Sequence, residues 1–142
     1  SFRIINKGAA ISSNLTELIK AIESLKTSRR LLKTALQKDS LNIELHKALR
    51  DSCIQRFEFC VELAWKTSIR ILGLQTKAPN PAIREMAQNH LINDIKIWFD
   101  FLDARNKTSH TYDENVAQAV YIETERIIPE LEKLIKRLQA LI

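Results

Sequence analysis

The chain has 142 residues, of which 45% are hydrophobic and 27% are charged, a composition typical of one globular domain and not of a disordered chain. Only two glycines and three prolines are present, which excludes the many tight turns of an all-β sandwich or barrel and favours long helices. The net charge of +5 is compatible with a polyanionic partner such as RNA.

Several classes of protein and site are also excluded. No apolar segment approaches 18 residues and no secretory signal is visible, so we expect no membrane span. Cys53 and Cys60 lie seven residues apart, too far along one helix to form a disulfide, and we expect both to be buried thiols in a reducing, cytoplasmic setting. Without Cys or His pairs for zinc, and without a Gly-rich phosphate loop, the sequence predicts no metal and no cofactor.

The first half of the chain predicts two long helices. Residues 1–13 show no period, and we expect a flexible lead there. Asn14 is a candidate N-cap for a helix over 15–37, in which apolar residues recur at three-four spacing. The second helix is predicted over 43–72 and ends at Gly73; its apolar surface is wide enough for a central position or a dimer contact.

The middle of the chain predicts two shorter helices. Asn80 and Pro81 have the pattern of an N-cap followed by a proline at the first helical position, which opens a short helix to about Asn89. Asn93 or Asp94 then caps a fourth helix. We expect that helix to end among the polar residues 106–109, whose side chains compete for backbone hydrogen bonds.

The last helix completes the predicted fold. Thr111 and Glu114 have capping-box spacing, and apolar residues repeat at three-four spacing beyond them. Pro129 is expected to interrupt the helix with a kink near 125–128. The sequence therefore predicts an all-α domain over residues 1–142, an antiparallel up-and-down four-helix bundle with one additional short helix.

A polar run at residues 103–114 lies where the fourth helix gives way to the last. Arg105 and His110 are about 140° apart on an unbroken helix, so they converge more easily if the helix ends between them. Arginine offers a permanently charged fork for phosphate, and histidine exchanges protons near neutral pH. The pair suits phosphodiester chemistry, although a capped junction with solvated polar residues explains the spacing equally simply.

The run resembles the signature of the HEPN superfamily, an arginine, four to six residues and a histidine. Its form here, Arg105, four residues, His110, one residue and Tyr112, is similar to that of HepT-type toxins encoded beside minimal nucleotidyltransferases. Further stretches resemble the group named nucleotidyltransferase substrate-binding proteins, and the likeness spans about residues 15–140. These stretches are Arg56-Phe57-Glu58-Phe59, Glu62-Leu63-Ala64-Trp65-Lys66, Ile83-Arg84-Glu85, Leu91-Ile92, Asp94 and Trp98.

The resemblance implies a two-fold homodimer in which the motifs of both subunits face one cleft. It implies that Arg105 and His110 form the catalytic pair of a metal-independent ribonuclease, with Asn106 as the polar residue after the arginine. His110 would assist attack of a ribose 2′-hydroxyl on the adjacent phosphate, which requires RNA and yields a 2′,3′-cyclic phosphate.

The resemblance also implies an antitoxin-type minimal nucleotidyltransferase as partner, which transfers AMP to Tyr112. Added charge and bulk beside His110 would then block an anionic substrate. The alternative for Tyr112 is an aromatic side chain that packs on the bundle. An alternative for the whole chain is a non-catalytic substrate-binding or scaffold subunit of a nucleotidyltransferase complex, and a third is a purely structural helical module.

Other polar residues are candidates to support the motif. Glu58 and Glu62, flanked by Arg56 and Lys66, form either intrahelical ion pairs or one wall of the cleft that orients Arg105 or the partner protein. Asp103 is a further candidate to steer that arginine, although the two lie about 160° apart on a regular helix. We expect His46 and His90 to be ordinary surface or boundary residues, and Trp65 and Trp98 to be anchors of the core or of a dimer interface.

Overall fold

The computed structural model describes the backbone of residues 2–142 and the side chains of residues 14–142. Within that part of the chain there is no strand, which confirms the all-helical prediction. Three long helices and two shorter ones pack as a bundle, with a single 3₁₀ turn before the last helix. The helices are α1 (Phe2–Lys38), α2 (Ile43–Leu72), α3 (Pro79–Gln88), α4 (Ile95–Asn106) and α5 (Glu114–Gln139), and the 3₁₀ turn is Thr108–His110. The two-fold dimer stays a prediction.

The start of α1 differs from the sequence prediction. The helix begins at Phe2, so Asn14 lies inside it and is not its N-cap. The apolar three-four spacing begins only at Leu15, which is why the earlier turns were missed. The predicted flexible lead covers residues 1–13. Ser1 lies outside the described residues, and of residues 2–13 only the backbone is described.

Helix α2 has the predicted bounds and lies at the centre of the core. Asn42 accepts a hydrogen bond from the Leu45 backbone N–H at its start, and Gly73 ends it in the left-handed conformation with φ 70°. Phe57 is fully buried on α2 and meets the ring of Phe101 on α4 edge to face. This contact fixes the two helices that carry most of the candidate site.

Besides Asn14, two further predicted N-caps, Asn80 and Thr111, were wrong, and one was confirmed. Asp94 caps α4 by accepting from the Ile97 backbone N–H at 3.1 Å, as expected. Helix α3 begins at Pro79 after Ala78, two residues before the predicted Pro81, because proline at either position suits a first turn. The cap of α5 is Asp113, not Thr111, because the Asp113 carboxylate accepts from the Asn115 and Val116 backbone N–H groups.

Pro129 lies inside α5, which continues as one helix from Glu114 to Gln139. Proline lacks a backbone N–H, so the Glu125 carbonyl loses its usual helical partner there. The predicted kink stays a prediction. Near the end of the helix, Arg137 donates to the Leu91 carbonyl at 3.2 Å and to the Asn93 side chain at 2.9 Å, which ties α5 to the segment before α4.

Residues expected to play ordinary roles do so. Cys53 and Cys60 are buried free thiols, and burial raises the pKa of Cys60 to about 12, which keeps it an unreactive thiol. Trp65 and Trp98 are buried in the core. Among the described helices, none has the length and apolar content that crossing a bilayer requires.

Candidate functional site

Helix α4 ends between Arg105 and His110, as the sequence predicted. Its last residue is Asn106, and the Lys107 backbone N–H closes the end by donating to the Asp103 and Ala104 carbonyls. A 3₁₀ turn then carries the chain to His110, whose backbone N–H donates to the Lys107 carbonyl at 3.0 Å. The break removes the fixed angular separation that one continuous helix would impose on the two side chains.

Arg105 is held by a carboxylate on α2. Its Nε–H donates to Glu62 Oε1 at 2.8 Å, while Glu62 Oε2 lies 3.4 Å from Lys66 Nζ. Both Arg105 and Glu62 are about two-thirds to three-quarters shielded from solvent, at 31% and 26% side-chain exposure. Because the pair is partly shielded, it orients the guanidinium more firmly than a fully exposed ion pair would. Both interpretations of Glu62 match this geometry, because its carboxylate forms the intrahelical ion pair with Lys66 and also orients Arg105.

Thr108 anchors the 3₁₀ turn to α2. Its hydroxyl oxygen lies 2.5 Å from Glu58 Oε2 and 2.8 Å from the Arg105 carbonyl oxygen. The turn that presents His110 is therefore fastened to the same helix face that holds Arg105. Sequence reasoning missed Thr108, because its partner lies 50 residues away in the chain and leaves no local signal.

His110 and Tyr112 lie together at the exposed edge of the junction. Their ring centroids are 6.1 Å apart with planes at 72°, an edge-to-face contact. Tyr112 is 86% exposed, so it does not pack on the bundle of its own chain. Both side chains are accessible to a substrate, a modifying enzyme or a second subunit.

Two residues proposed as supports lie apart from this cluster. Arg56 donates to Ser24 Oγ at 2.6 Å and to the neighbouring Ser52 hydroxyl, so it joins α1 to α2 instead of lining the motif. Asp103 lines a groove with Glu123 and Arg126 on the α5 side of α4. The regular helical angle between positions 103 and 105 explains why Glu62, and not Asp103, pairs with Arg105.

The remaining polar residues have simple positions. Asn106 is the exposed last residue of α4. His46 Nε2 lies 2.8 Å from the Asp39 carbonyl oxygen, where it serves the end of α1, and His90 is exposed in the turn after α3 with φ 62°. Within residues 14–142, no three His, Cys, Asp or Glu side chains lie close enough to hold a metal ion.

An ion pair fixes the far side of the junction. Arg50 on α2 reaches both carboxylate oxygens of Glu114, with Nη1–Oε1 and Nη2–Oε2 distances of 2.5 and 3.1 Å. Hydrogen bonds from Arg50 and Gln118 lower the pKa of Glu114 from 4.5 to about 2. The first turn of α5 is thereby held against α2.

This ion pair predicts a specific dependence of stability on pH. Since the pKa of Glu114 is lower in the folded chain, the stabilisation is complete above pH 4.5 and is lost as the pH falls towards 2. We expect Glu114→Gln to lower the melting temperature at pH 7 and to lose that effect steadily below about pH 4.5, measured by circular dichroism. In an Arg50→Gln background, Glu114→Gln should change the melting temperature little at any pH. An undiminished effect in that background would show that the pH dependence does not come from the Arg50–Glu114 ion pair.

Known proteins resemble this chain in both sequence and fold. A family model described as "Nucleotidyltransferase substrate binding protein like" matches residues 13–140. A relative from Haemophilus influenzae named "Probable ribonuclease HepT" is 36% identical over 96 residues, which are 61% of this chain and 64% of that protein's length. The match therefore spans somewhat less than two thirds of that relative.

Two solved structures share the fold. One, from Haemophilus influenzae, is described as the fold of a substrate binding domain of a nucleotidyltransferase; it has a TM-score of 0.78 and 29% identity, covering 88% of this chain and 98% of its own. A crystal structure from Thermus thermophilus has a TM-score of 0.66 and 29% identity, covering 84% of this chain and 98% of its own. The family match covers most of the helical domain, including the junction and both helices that build it, and this chain belongs to the nucleotidyltransferase substrate-binding-protein-like family.

Proposed function

We propose that this chain is the toxin-like ribonuclease subunit of a two-component system with a minimal nucleotidyltransferase. The observation that carries the proposal is the end of α4 between Arg105 and His110. It leaves the imidazole exposed on a short turn, while Glu62 holds the guanidinium at 2.8 Å. The name of the Haemophilus relative, "Probable ribonuclease HepT", supports the same activity.

The proposed reaction needs no metal ion. His110 accepts the proton of a ribose 2′-hydroxyl, the 2′-oxygen forms a bond to the adjacent phosphorus, and the bond from phosphorus to the 5′-oxygen breaks. The leaving 5′-oxygen takes up a proton from solvent, and His110 returns its proton to solvent, which gives a 2′,3′-cyclic phosphate and a 5′-hydroxyl end. Arg105 stabilises the added negative charge at phosphorus, and Asn106 adds a polar contact at the end of α4.

Two copies of the chain are proposed to form the active unit. His110 and Tyr112 stand at the exposed edge of one subunit, where water competes for every contact with a phosphate. A facing subunit would contribute a second Arg105 and His110 and would exclude part of that water, which strengthens electrostatic interactions in the cleft. The homodimer is thus a functional requirement of the proposal.

Tyr112 is proposed as the site at which the partner transfers AMP. Its hydroxyl belongs to a side chain that is 86% exposed, and its ring lies 6.1 Å from the ring of His110. A phosphodiester attached there would place negative charge beside the imidazole and repel the RNA backbone. Modification would therefore switch off cleavage without a change of fold.

Co-expression with a minimal nucleotidyltransferase tests this assignment, because the chain has only two tyrosines. We expect intact-mass spectrometry to show the mass of one or more adenylate groups, and peptide mapping to place them on Tyr112. Tyr112→Phe should abolish the increment. Tyr121→Phe is the matched control, since Tyr121 is half-buried beside Arg29 and its variant should still be modified. An increment that survives Tyr112→Phe would contradict the site.

A second candidate function is a non-catalytic subunit that presents a substrate to the nucleotidyltransferase. It is favoured by the description of the Haemophilus structure as the fold of a substrate binding domain. This alternative predicts a stable complex with an unmodified Tyr112 and no RNA cleavage by the isolated chain. The ribonuclease proposal predicts cleavage by the isolated chain, so one purified sample separates the two.

A further inference from the structure

A basic groove lies next to the Arg105–Glu62 ion pair, because Lys66, which pairs with Glu62, lines it. It lies along the last turns of α2 and the loop that follows, and we call it the α2 basic groove. Its eight lining residues include three cations and no carboxylate. They are Trp65, Lys66, Ile69, Arg70, Leu74, Gln75, Thr76 and Lys77. A groove with this composition attracts anions, and its apolar floor strengthens that attraction by lowering the local dielectric.

Two of the three cations of this groove are not neutralised by the chain itself, whereas the third, Lys66, is paired with Glu62. Arg70 and Lys77 are exposed, and within the described residues neither side chain has a hydrogen bond or an ion pair. Another basic cluster, on α1, is only partly neutralised, because two of its four cations, Arg30 and Lys33, have no ion pair within the described residues. There Lys26 pairs with Glu132 at 3.2 Å and Arg29 pairs with Glu125 at 3.7 Å. The unpaired charge is thus available for a ligand at the α2 basic groove.

The groove is also continuous with the candidate catalytic arginine. Glu62, Lys66 and Arg70 follow one another at intervals of four residues, so they form one row along α2, with about 6 Å of helix axis between neighbours. Glu62 holds Arg105 at the start of the row. Lys66 bridges Glu62 and the Trp65 ring, with Nζ 5.6 Å from the ring centroid.

We propose that the α2 basic groove binds the phosphate backbone of single-stranded RNA and guides it to Arg105 and His110. Arg70 and Lys77 contact phosphates away from the scissile bond, and Lys66 contacts the phosphate nearest the cleft. Recognition through phosphates is independent of sequence, so the groove contributes affinity and orientation instead of base specificity. This inference rests on RNA being the substrate in the proposed function.

Binding by a cleavage-deficient chain tests the groove without relying on catalysis. The full-length chain carrying His110→Ala is titrated against a fluorescein-labelled oligouridylate of about 12 nucleotides, and anisotropy is recorded at several salt concentrations. Adding Arg70→Gln and Lys77→Gln should weaken binding about tenfold at about 0.15 M salt. Each phosphate contact contributes about 0.7 to the magnitude of the slope of log K against log salt, so the loss of two contacts should lower that magnitude by about 1.4.

The matched control removes the same charge elsewhere. Arg30→Gln with Lys33→Gln alters two exposed cations on α1, and we expect binding within about twofold of the parent. An equal loss in this control, an unchanged slope in the groove variant, or no binding of RNA by the parent would each overturn the proposal. Circular dichroism confirms that all variants are folded.

The result separates the groove from the catalytic assignment. If the wild-type chain cleaves no RNA but binding depends on Arg70 and Lys77, the groove stands as an RNA-binding surface, and its role in guiding RNA to Arg105 and His110 falls with the ribonuclease proposal. If the wild-type chain cleaves RNA but binding ignores these two residues, the ribonuclease stands and the groove falls. Loss of nucleotidyltransferase association with unchanged RNA binding would assign the groove to the protein partner and would also overturn the inference.

Discussion

Replacing His110 by alanine is expected to lower the rate of RNA cleavage about 10²–10⁴-fold, the usual contribution of a general acid–base residue. The imidazole is exposed, and its ring contact is with Tyr112, which is exposed as well. Its removal should therefore leave the unfolding transition of the chain unchanged. Cleavage is measured on a labelled RNA with the purified chain in the absence of a nucleotidyltransferase.

His90→Asn serves as the control for this substitution. His90 is exposed in the turn after α3 and has φ 62°, a conformation that asparagine tolerates well. Cleavage by this variant should equal that of the wild-type chain. Arg105 offers a less direct test, because its removal leaves the Glu62 carboxylate without its guanidinium partner. Wild-type activity in His110→Ala would remove the basis of the proposed mechanism.

Replacing Phe57 by alanine is expected to destabilise the fold by about 3–5 kcal/mol. The ring is fully buried and lies 6.5 Å from the Phe101 ring, which in turn lies 5.2 Å from the ring of Trp98. Removing it leaves a cavity between α2 and α4 that the neighbouring rings can fill only partly. Urea unfolding followed by circular dichroism gives the change in the free energy of unfolding.

Phe59→Ala is the matched control on the same helix. Phe59 lies two residues further along α2 and is 51% exposed. The same chemical change should therefore cost much less, within about 1 kcal/mol. A loss within about 1 kcal/mol in Phe57→Ala, as small as that expected for Phe59→Ala, would show that the α2–α4 contact does not depend on the ring of Phe57. Glu58 and Glu62 lie on the same helix as Phe57 and contact Thr108 and Arg105. A large loss of stability in Phe57→Ala would therefore also predict slower RNA cleavage.

The fold could be predicted because apolar spacing carries most of the information in a helical bundle. Helix α2 was predicted with its observed bounds, since Gly73 and the wide apolar stripe mark it clearly. Helix starts were harder. At α3 and α5 a polar residue with suitable spacing, Asn80 or Thr111, competes with the true N-cap two residues away.

The candidate site was predictable only in part. The polar run drew attention to Arg105 and His110, and the four-residue spacing of the two α2 glutamates suggested a supporting wall. Spacing alone could not assign partners across helices, because the rotation of α4 against α2 is set by the packing of the core. Arg105 therefore pairs with Glu62 and not with Asp103.

The mode of contact between Arg105 and Glu62 has a consequence for ligand binding. A guanidinium carries five N–H groups, and the contact with Glu62 engages the one on Nε. The two terminal amino groups have no hydrogen-bond partner within the described residues. The Nε side of the guanidinium is thus fixed in place. The terminal amino groups stay free to donate hydrogen bonds to two oxygens of a single phosphoryl group. Lysine, with one ammonium at the end of a flexible stem, could not be both tethered and bidentate at this position.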